Sequence, residues 1–250
     1  MKHLSHYYRY LWQEPELIVI LGDAAKMWQG FQEYEEKYHT TSGKNGESEA
    51  VQRLLAGAGL AAVSLPERES WGWTLSLPGS STGLFCGIEP EGMVCASLRH
   101  SASESNAAVV QRQMEKVPLA QSHYTLSSTD PVRAVAQYFE SSAQMLVRVA
   151  VLDDGRGVFV QPMPGHGFGP LDGLSDTELV EHCYAQTEDE NMKLLDEVVL
   201  YYGCRCSDAM ILEMVTSLPA QQRSELWQDS SSLTINCPRC NRAYTLNKAC

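Results

Sequence analysis

Four cysteines near the carboxyl end constrain this chain more than any other feature of its sequence. They form two close pairs, Cys204-Arg205-Cys206 and Cys237-Pro238-Arg239-Cys240, separated by the span from Ser207 to Asn236. A span of this length can fold back, so that four sulfurs meet at the corners of a tetrahedron, the geometry that Zn²⁺ takes with thiolates. The sequence therefore predicts one zinc ion, held by Cys204, Cys206, Cys237 and Cys240.

The two pairs differ in spacing, and this predicts two different local structures. In an extended segment the side chains at i and i+2 point to the same face, so Cys204 and Cys206 can bind one metal ion without a tight turn. Cys237 and Cys240 have the two-residue spacing of a zinc knuckle, in which Pro238 stiffens the turn.

Such a site has its own redox chemistry. Four thiolates around Zn²⁺ leave a net charge of about −2, and Arg205, Arg239 and Arg242 lie close enough in sequence to offset it. Zinc is not redox-active, but its thiolates remain nucleophiles, and oxidation of one of them weakens coordination. On this chemistry alone, a redox switch and a static zinc ribbon stay equally open. A thioredoxin-like role for the second pair is weaker, because that motif belongs near an early strand.

The surroundings of the cysteines resemble those of one known family. Tyr202-Gly203-Cys204-Arg205-Cys206-Ser207, followed by a helical span and then by Ile235 to Cys240 and Tyr244, is similar to the redox switch of the heat shock protein 33 family. The resemblance implies a bacterial, ATP-independent holdase chaperone rather than an enzyme, which binds unfolding proteins under oxidative stress and forms a homodimer when oxidised. It also implies that disulfides pair Cys204 with Cys206, and Cys237 with Cys240, in the oxidised state.

A weaker resemblance to the same family covers the middle of the chain. The segment from Tyr138 to Gln144 is similar to the family's tyrosine-phenylalanine pair and the Ser-Glu-Gln that follows it. The segment from Val160 to Gly165 resembles its Leu-Gln-x-Leu-Pro-Gly strand end. These likenesses imply a chaperone core domain ahead of the cysteines.

Composition and charge bound the remaining possibilities. The chain has 250 residues, 44% of them hydrophobic, which is enough for a substantial core. Its net charge of −12 argues against nucleic-acid binding, which usually needs a basic face. The apolar run at 17–21 is too short for a signal peptide, and 54–65 falls short of a membrane span, so we expect a soluble cytoplasmic protein whose cysteines are mostly reduced.

The pattern of apolar residues predicts an α+β fold with an antiparallel sheet and packed helices. Strands are expected at 17–21 and 71–77, in a hairpin at 84–98 and in a second hairpin at 146–161, with helices after Asp23, at 49–63 and after a cap at Thr129 or Asp130. In the first helix Met27, Trp28, Phe31, Tyr34 and Tyr38 recur at helical spacing, which indicates an aromatic face in the core. No cofactor is needed to explain that face.

Three regions follow from these elements: a core domain over 1–165, a helical linker over 166–200 and a zinc-binding redox-switch domain over 201–250. The boundary falls in the proline- and glycine-rich loop Pro162 to Gly173, after which Ser175 and Glu178 form a capping-box signature. Glu188 to Glu190 is expected to open a second short helix with Met192, Leu194 and Leu195. Short helices of this kind bury little surface, so we expect the linker to loosen on oxidation.

The last region is predicted to consist of a helix capped by Ser207, a second helix after Pro219 and a strand at Leu233 to Ile235.

Cys86 and Cys95 flank the first hairpin and are expected to be buried, reduced core residues that could face each other, and Cys183 is expected in an apolar helix face. Cys250 is a candidate free thiol. The seven scattered histidines give no metal pair and no catalytic triad. The main alternative function is a constitutive zinc-ribbon interaction protein, and a thiol-disulfide oxidoreductase is a third.

Overall fold

The computed structural model describes residues 3–40, 47–65, 69–79, 82–100, 106–114, 116–228 and 230–247. The strands are β1 (Leu4–Trp12), β2 (Leu17–Asp23), β3 (Ser70–Ser76), β4 (Thr82–Ile88), β5 (Met93–His100), β6 (Ala107–Gln113), β7 (Ala120–Thr125), β8 (Arg148–Val151), β9 (Arg156–Pro162), β10 (Met192–Tyr202), β11 (Ser232–Asn236) and β12 (Ala243–Asn247). The helices are α1 (Ala25–Tyr38), α2 (Glu47–Val63), α3 (Pro131–Ser141), α4 (Asp176–Ala185), α5 (Asp208–Thr216) and α6 (Ala220–Trp227).

Ten of these strands form one large sheet, in the order β7-β6-β3-β4-β5-β10-β1-β2-β9-β8. Its strands pair antiparallel with their neighbours except at β5 and β10, which run parallel. Strands β11 and β12 form a separate antiparallel pair. The predicted α+β class with an antiparallel sheet and packed helices is therefore confirmed, as are both predicted hairpins, β4–β5 and β8–β9.

Alternation along the strands divides the apolar residues between the two faces of the sheet. Ile20, Trp73 and Phe159 belong to the main core, which they share with α2 and α3. Their strand neighbours Val19 and Val160 point the other way, into a second cluster formed with α4 and with the chain around Phe168 and Leu171. A third cluster on that second face joins β4 and β5 to the cysteine region.

The helix starts follow their capping residues, with one correction. Asp130 accepts a hydrogen bond from the Val132 backbone N–H at 3.0 Å and caps α3. Ser175 and Glu178 form the predicted capping box of α4. The prediction that Asp23 is the N-cap of α1 was wrong by one residue: Ala24 holds that position, although the Asp23 carboxylate still accepts from the Ala25 N–H at 2.8 Å.

Two elements differ from the sequence-based expectation. The helix expected after Glu188 is wrong, because Gln186–Glu188 is a single 3₁₀ turn and Met192–Tyr202 is an eleven-residue strand. This strand, β10, pairs with β1 from Leu4↔Tyr201 to Trp12↔Met192, and β1 itself was not predicted. The pairing of the two strands is long-range, so local propensity at 192–195 does not decide the outcome.

The junction between β5 and β10 is the shortest pairing in the large sheet. It consists of Tyr201↔Met93 and Tyr202↔Val94, extended by a hydrogen bond from the Gly203 N–H to the Val94 carbonyl at 2.8 Å. The first cysteine pair begins directly after this junction.

Candidate metal centre

The four cysteines of the two pairs meet in one place. Cys204 and Cys206 lie where the chain leaves β10, and Cys237 and Cys240 lie in the turn between β11 and β12. Their Sγ atoms all lie within 4.8 Å of one another, and the described part of the chain yields no second group of this kind. Cys206, Cys237 and Cys240 are buried, whereas Cys204 is half-buried.

Backbone hydrogen bonds shape the second pair into a compact turn. The Cys237 N–H donates to the Arg242 carbonyl at 2.8 Å, and the Asn241 N–H donates to the Cys237 carbonyl at 2.9 Å. Asn241 has a φ of 63°, a left-handed conformation that asparagine tolerates better than most residues. The Arg239 N–H also approaches the Cys237 Sγ at 3.5 Å. The turn thus holds the two sulfurs of this pair together.

The sulfur separations fit a tetrahedral metal site. A Zn–S bond length of about 2.3 Å places tetrahedral sulfurs about 3.8 Å apart. Here the Cys204 and Cys237 Sγ atoms are 3.9 Å apart, and the Cys206 and Cys240 Sγ atoms are 3.4 Å apart. Each of these contacts joins one cysteine of the first pair to one of the second. The four cysteines could therefore bind a metal ion.

Two tyrosine hydroxyls form hydrogen bonds with the sulfur cluster, and sequence reasoning missed both roles. The Tyr244 hydroxyl donates to the Cys206 Sγ at 3.0 Å, and the Tyr34 hydroxyl lies 3.2 Å from the Cys240 Sγ and 3.9 Å from that of Cys206. Tyr34 belongs to the aromatic face of α1, of which only Met27 and Phe31 are fully buried. The expectation of a purely core face was therefore wrong at Tyr34, because helical spacing shows that a face is covered but not what covers it.

Hydrogen bonding within the cluster separates the proton affinities of its thiols. Donation from Cys204, and then from Cys240, holds the pKa of Cys237 well below the ordinary value of a thiol. The pKa of Cys204 is raised, chiefly by its hydrogen bond with Cys237. Burial, followed by the bond to Cys240, raises the pKa of Tyr34 above its ordinary value. The cluster therefore favours the thiolate form of Cys237 and the neutral form of the Tyr34 hydroxyl.

The three arginines expected to offset the thiolate charge lie around the cluster in different ways. Arg205 and Arg239 both form ion pairs with Glu89, which lies just after β4 and is only 8% exposed. Arg205 also contacts Glu91 at 3.4 Å. Arg242 lies over the rings of Tyr38 and Tyr244. Two of the arginines therefore connect the cysteine region to the β4–β5 turn.

The remaining described cysteines are buried, as expected, but one of them lies against the cluster. Cys86 pairs with Ala96 and faces the main core, whereas Cys95 pairs with Gly87 and faces the cysteine region. The idea that Cys86 and Cys95 face each other is therefore wrong. The strand register places them one position apart across the hairpin, so their side chains point to opposite faces of the sheet. Cys183 is a buried residue of α4 that packs in the second apolar cluster, and Cys250 lies outside the described residues.

Within the described residues, no helix combines the length and the apolar character needed to cross a lipid bilayer.

Comparison with known proteins agrees with this arrangement. The model of the family described as "Hsp33 protein" matches residues 19–247. The chain is 27% identical over 150 residues to the 33 kDa chaperonin of Ectopseudomonas mendocina, covering 50% of each protein. It is 24% identical over 143 residues to that of Hahella chejuensis, covering 49% of this chain and 50% of the relative. The chain thus matches about half the length of these curated relatives.

A solved structure shares the whole fold. The crystal structure of the 33 kDa chaperonin from Thermotoga maritima, a heat shock protein 33 homologue, superposes with a TM-score of 0.64 at 14% identity, covering 99% of this chain and 95% of that one. At this identity the likeness concerns the fold alone, and the family is shown by the sequence model, which spans most of the chain. The chain belongs to the Hsp33 chaperone family.

Proposed function

We propose that this protein is a redox-regulated, ATP-independent holdase that binds unfolding proteins under oxidative stress in the cytoplasm. In the reduced state, one Zn²⁺ ion is bound by Cys204, Cys206, Cys237 and Cys240. Oxidation forms the disulfides Cys204–Cys206 and Cys237–Cys240, releases the zinc and activates the chaperone. The observation that supports this proposal is that the four sulfurs lie close enough together to hold a metal ion and also pack in the cluster that joins the cysteine region to the sheet.

The cysteine region has little core of its own. Its fully buried side chains other than the cysteines are Ile211, Val215, Tyr244 and Leu246. So small a cluster cannot offset the conformational entropy of the ordered chain, and zinc contributes about 10 kcal/mol or more to the folding of comparable peptides. Loss of zinc therefore converts oxidation into local unfolding of 201–250.

Unfolding of the cysteine region would also break its contacts with the large sheet and with α1. Tyr34 and Cys95 of the core domain pack against the sulfur cluster, and Glu89 pairs with Arg205 and Arg239. When the cluster comes apart, these contacts lose their partners. The apolar surface of β4 and β5 that the region covers is then open to solvent.

The linker over 166–200 covers a second apolar surface of the proposed core domain, 1–165. Leu179, Val180 and Cys183 of α4 are fully buried against β2, β8 and β9. Their release would expose Leu17, Val19 and Val160, which form a continuous apolar patch with their neighbours. Large exposed apolar patches bind other proteins without demanding a specific sequence. This surface suits unfolding clients, and it also suits a homodimer of the oxidised form.

The charge of the chain bears on its other partners. A net charge of −12 favours neither nucleic acid nor an anionic membrane surface, and we propose that clients are the main partners. The proposed activity needs no catalytic residue, because burial of apolar surface in clients is sufficient for a holdase.

Light scattering from a thermally unfolding client protein tests the proposal. The client is heated with the reduced zinc-bound protein, with the peroxide-oxidised protein, or with an oxidised Cys204→Ser variant. We expect suppression of aggregation by the oxidised protein alone. A Cys86→Ala variant, altered in the main core and away from both the cluster and the linker, is the matched control and should behave as the parent. Failure of both reduced and oxidised protein would favour a constitutive zinc-ribbon interaction protein instead.

Hydrogen exchange tests the role of the linker separately. Oxidation should speed exchange in α4 and in the turns on either side of it, because release of the linker would remove the packing of Leu179, Val180 and Cys183 on the sheet. Strand β10 has β1 as its partner over nine paired positions and should change less. Equally slow exchange of α4 in both redox states would exclude linker release from the mechanism.

A further inference from the structure

Cys95 lies in the core domain, but its side chain belongs to the cysteine cluster. It sits on β5 with Gly87 as its cross-strand partner, and it is 1% exposed. Its strand neighbours Val94 and Ala96 face the main core, whereas Cys95 packs in the cluster that contains Cys206, Cys237 and Cys240. The chain therefore brings five thiols, not four, to one place.

The strand register brings the backbone of Cys95 close to that of Cys204. Tyr202 of β10 pairs with Val94, and the Gly203 N–H donates to the Val94 carbonyl. Cys95 and Cys204 follow this junction by one and two residues respectively. Neighbouring strands lie about 4.8 Å apart, and disulfide-bonded cysteines have Cα atoms about 4.4 to 6.8 Å apart. Both cysteines therefore lie at the end of the same short strand pairing, and the spacing of neighbouring strands is compatible with a disulfide.

The side chains of these two cysteines also belong to one packed cluster. Cys95 is a buried member of it, and Cys204 packs against it. In the described part of the chain, the sulfurs within 4.8 Å of one another are those of the four paired cysteines, and Cys95 lies outside that set. Cys95 is therefore a neighbour of the metal ligands and not one of them, so it keeps a free thiol when a metal ion is bound.

Arg239 lies beside the same sulfur. A Cβ atom on Gly87 would be 3.0 Å from the Arg239 Nη2 and 3.3 Å from the Cys95 Sγ, so the absence of a side chain at Gly87 lets both groups approach this point. A guanidinium so placed offsets the negative charge of an attacking sulfur. Cys204 is the half-buried member of the five, which makes it the first sulfur that a dissolved oxidant meets.

We propose that Cys95 is a fifth redox-active thiol, which closes a disulfide with Cys204 once Cys204 has been oxidised. Hydrogen peroxide is attacked by the Cys204 sulfur, the O–O bond breaks, and Cys204 becomes a sulfenic acid while hydroxide leaves. The Cys95 sulfur then attacks the sulfenic sulfur, the S–O bond breaks, and hydroxide leaves and is protonated. In total two thiols lose two electrons and two protons, and one peroxide becomes two water molecules.

This bond would act against release of the cysteine region. A Cys95–Cys204 disulfide ties β5 to the start of that region, whereas a Cys204–Cys206 disulfide leaves the region free to separate from the sheet. Cys95 and Cys206 therefore compete for the same oxidised sulfur. This competition divides the oxidised protein between a form in which the cysteine region stays attached to the sheet and a form in which it can separate from the sheet. Client binding is not needed for this regulation.

Non-reducing peptide mapping of the whole protein tests this proposal. One equivalent of hydrogen peroxide is added to the zinc-bound protein, remaining thiols are alkylated, and the chain is then unfolded and cut with trypsin and a glutamate-specific protease. Cleavage after Arg205 and Arg239 separates all four paired cysteines, and cleavage after Glu91 separates Cys86 from Cys95. We expect a linked peptide pair containing Cys95 and Cys204.

Two variants serve as the test and its matched control. Cys95→Ala should abolish the linked pair and increase the Cys204–Cys206 product, whereas Cys86→Ala, altered on the next strand but on the opposite face, should leave the map unchanged. Complete alkylation of Cys95 in the parent protein would overturn the proposal, whatever the variants do. Light scattering on the same samples distinguishes failure of the Cys95–Cys204 disulfide from failure of the proposed holdase function. If oxidation activates the protein but no Cys95 link forms, only the disulfide proposal fails.

Discussion

The hydroxyl group of Tyr34, on the first helix, lies 3.2 Å from the Sγ of Cys240, near the end of the chain. The contact joins the core domain to the sulfur cluster directly, because Tyr34 also packs edge-on against Tyr202 at the end of β10. Folding of the amino-terminal part thus prepares one wall of the site that the carboxyl-terminal cysteines complete.

Removal of this hydroxyl should weaken metal binding. Tyr34→Phe keeps the ring but loses the donor to Cys240 and Cys206, and loss of an outer-shell partner typically costs about ten- to a hundredfold in metal affinity. Competition with a chromogenic zinc chelator measures the change. Tyr124→Phe removes a hydroxyl that donates to the Ala134 carbonyl at 2.8 Å, far from the cluster, and should leave affinity unchanged. Equal affinities for all three proteins would show that Tyr34 is only a packing residue.

Glu89 should hold the cysteine region against the sheet. Glu89→Gln removes the charge that pairs with Arg205 and Arg239, and hydrogen bonds to charged groups of this kind contribute about 1.5 to 3 kcal/mol. We expect faster release of zinc to a chelator and a lower midpoint of unfolding of the cysteine region. Glu91→Gln is the matched control: its carboxylate contacts Arg205 from an exposed position, and such pairs contribute about 0.2 to 1 kcal/mol. The prediction fails if the two variants cannot be told apart.

Chelation of zinc from the reduced protein should unfold one part of the molecule and leave the other. Without the metal, α5, α6, β11 and β12 retain only a small apolar cluster, whereas the ten-stranded sheet keeps its own cores. Hydrogen exchange should become fast over 204–247 and stay slow in β2, β3 and β9, and added zinc should reverse the change. Simultaneous loss of protection in both parts would mean that the sheet cannot fold without the cysteine region.

Two buried cysteines should be unreactive toward alkylating reagents. Burial raises the pKa of Cys86 and of Cys183 from 9.0 to about 12, so both remain protonated at pH 8. Because the folded protein gives up these protons less readily than the unfolded chain, this contribution lowers stability as the pH rises from about 9 toward 12. Iodoacetamide at pH 8 should label Cys204 in the chelated protein but neither Cys86 nor Cys183. Labelling of the buried pair at the rate of Cys204 would contradict their assigned burial.

Local signals in the sequence predicted much of this molecule. The capping residues Asp130 and Ser175 start their helices where expected, and the turn at 153–155 closes its hairpin. The cysteine spacing predicted that four sulfurs meet, because a short module with two close pairs has few other ways to fold. These features are local in sequence or fixed by chain length.

The errors concern residues whose roles depend on distant partners. Residues 192–195 resemble a helix start, yet they belong to strand β10, because β1 offers this end of the strand a backbone partner. Tyr34 and Cys95 occupy apolar faces that periodicity identifies correctly, but both faces are covered by a segment more than a hundred residues away. A single sequence indicates that a face of a helix or strand is buried, but not which segment of the chain buries it.

The short β5–β10 junction has a mechanical consequence for the ten-stranded sheet. In the described chain, backbone pairing between the five strands on one side and the five on the other is confined to Tyr201↔Met93 and Tyr202↔Val94. Helix α2 lies across this line and contacts β4 and β5 on one side and β1, β2, β8 and β9 on the other. Packing against α2 therefore connects the two half-sheets across a line where few backbone pairs join them, so the sheet depends on side-chain packing at this line.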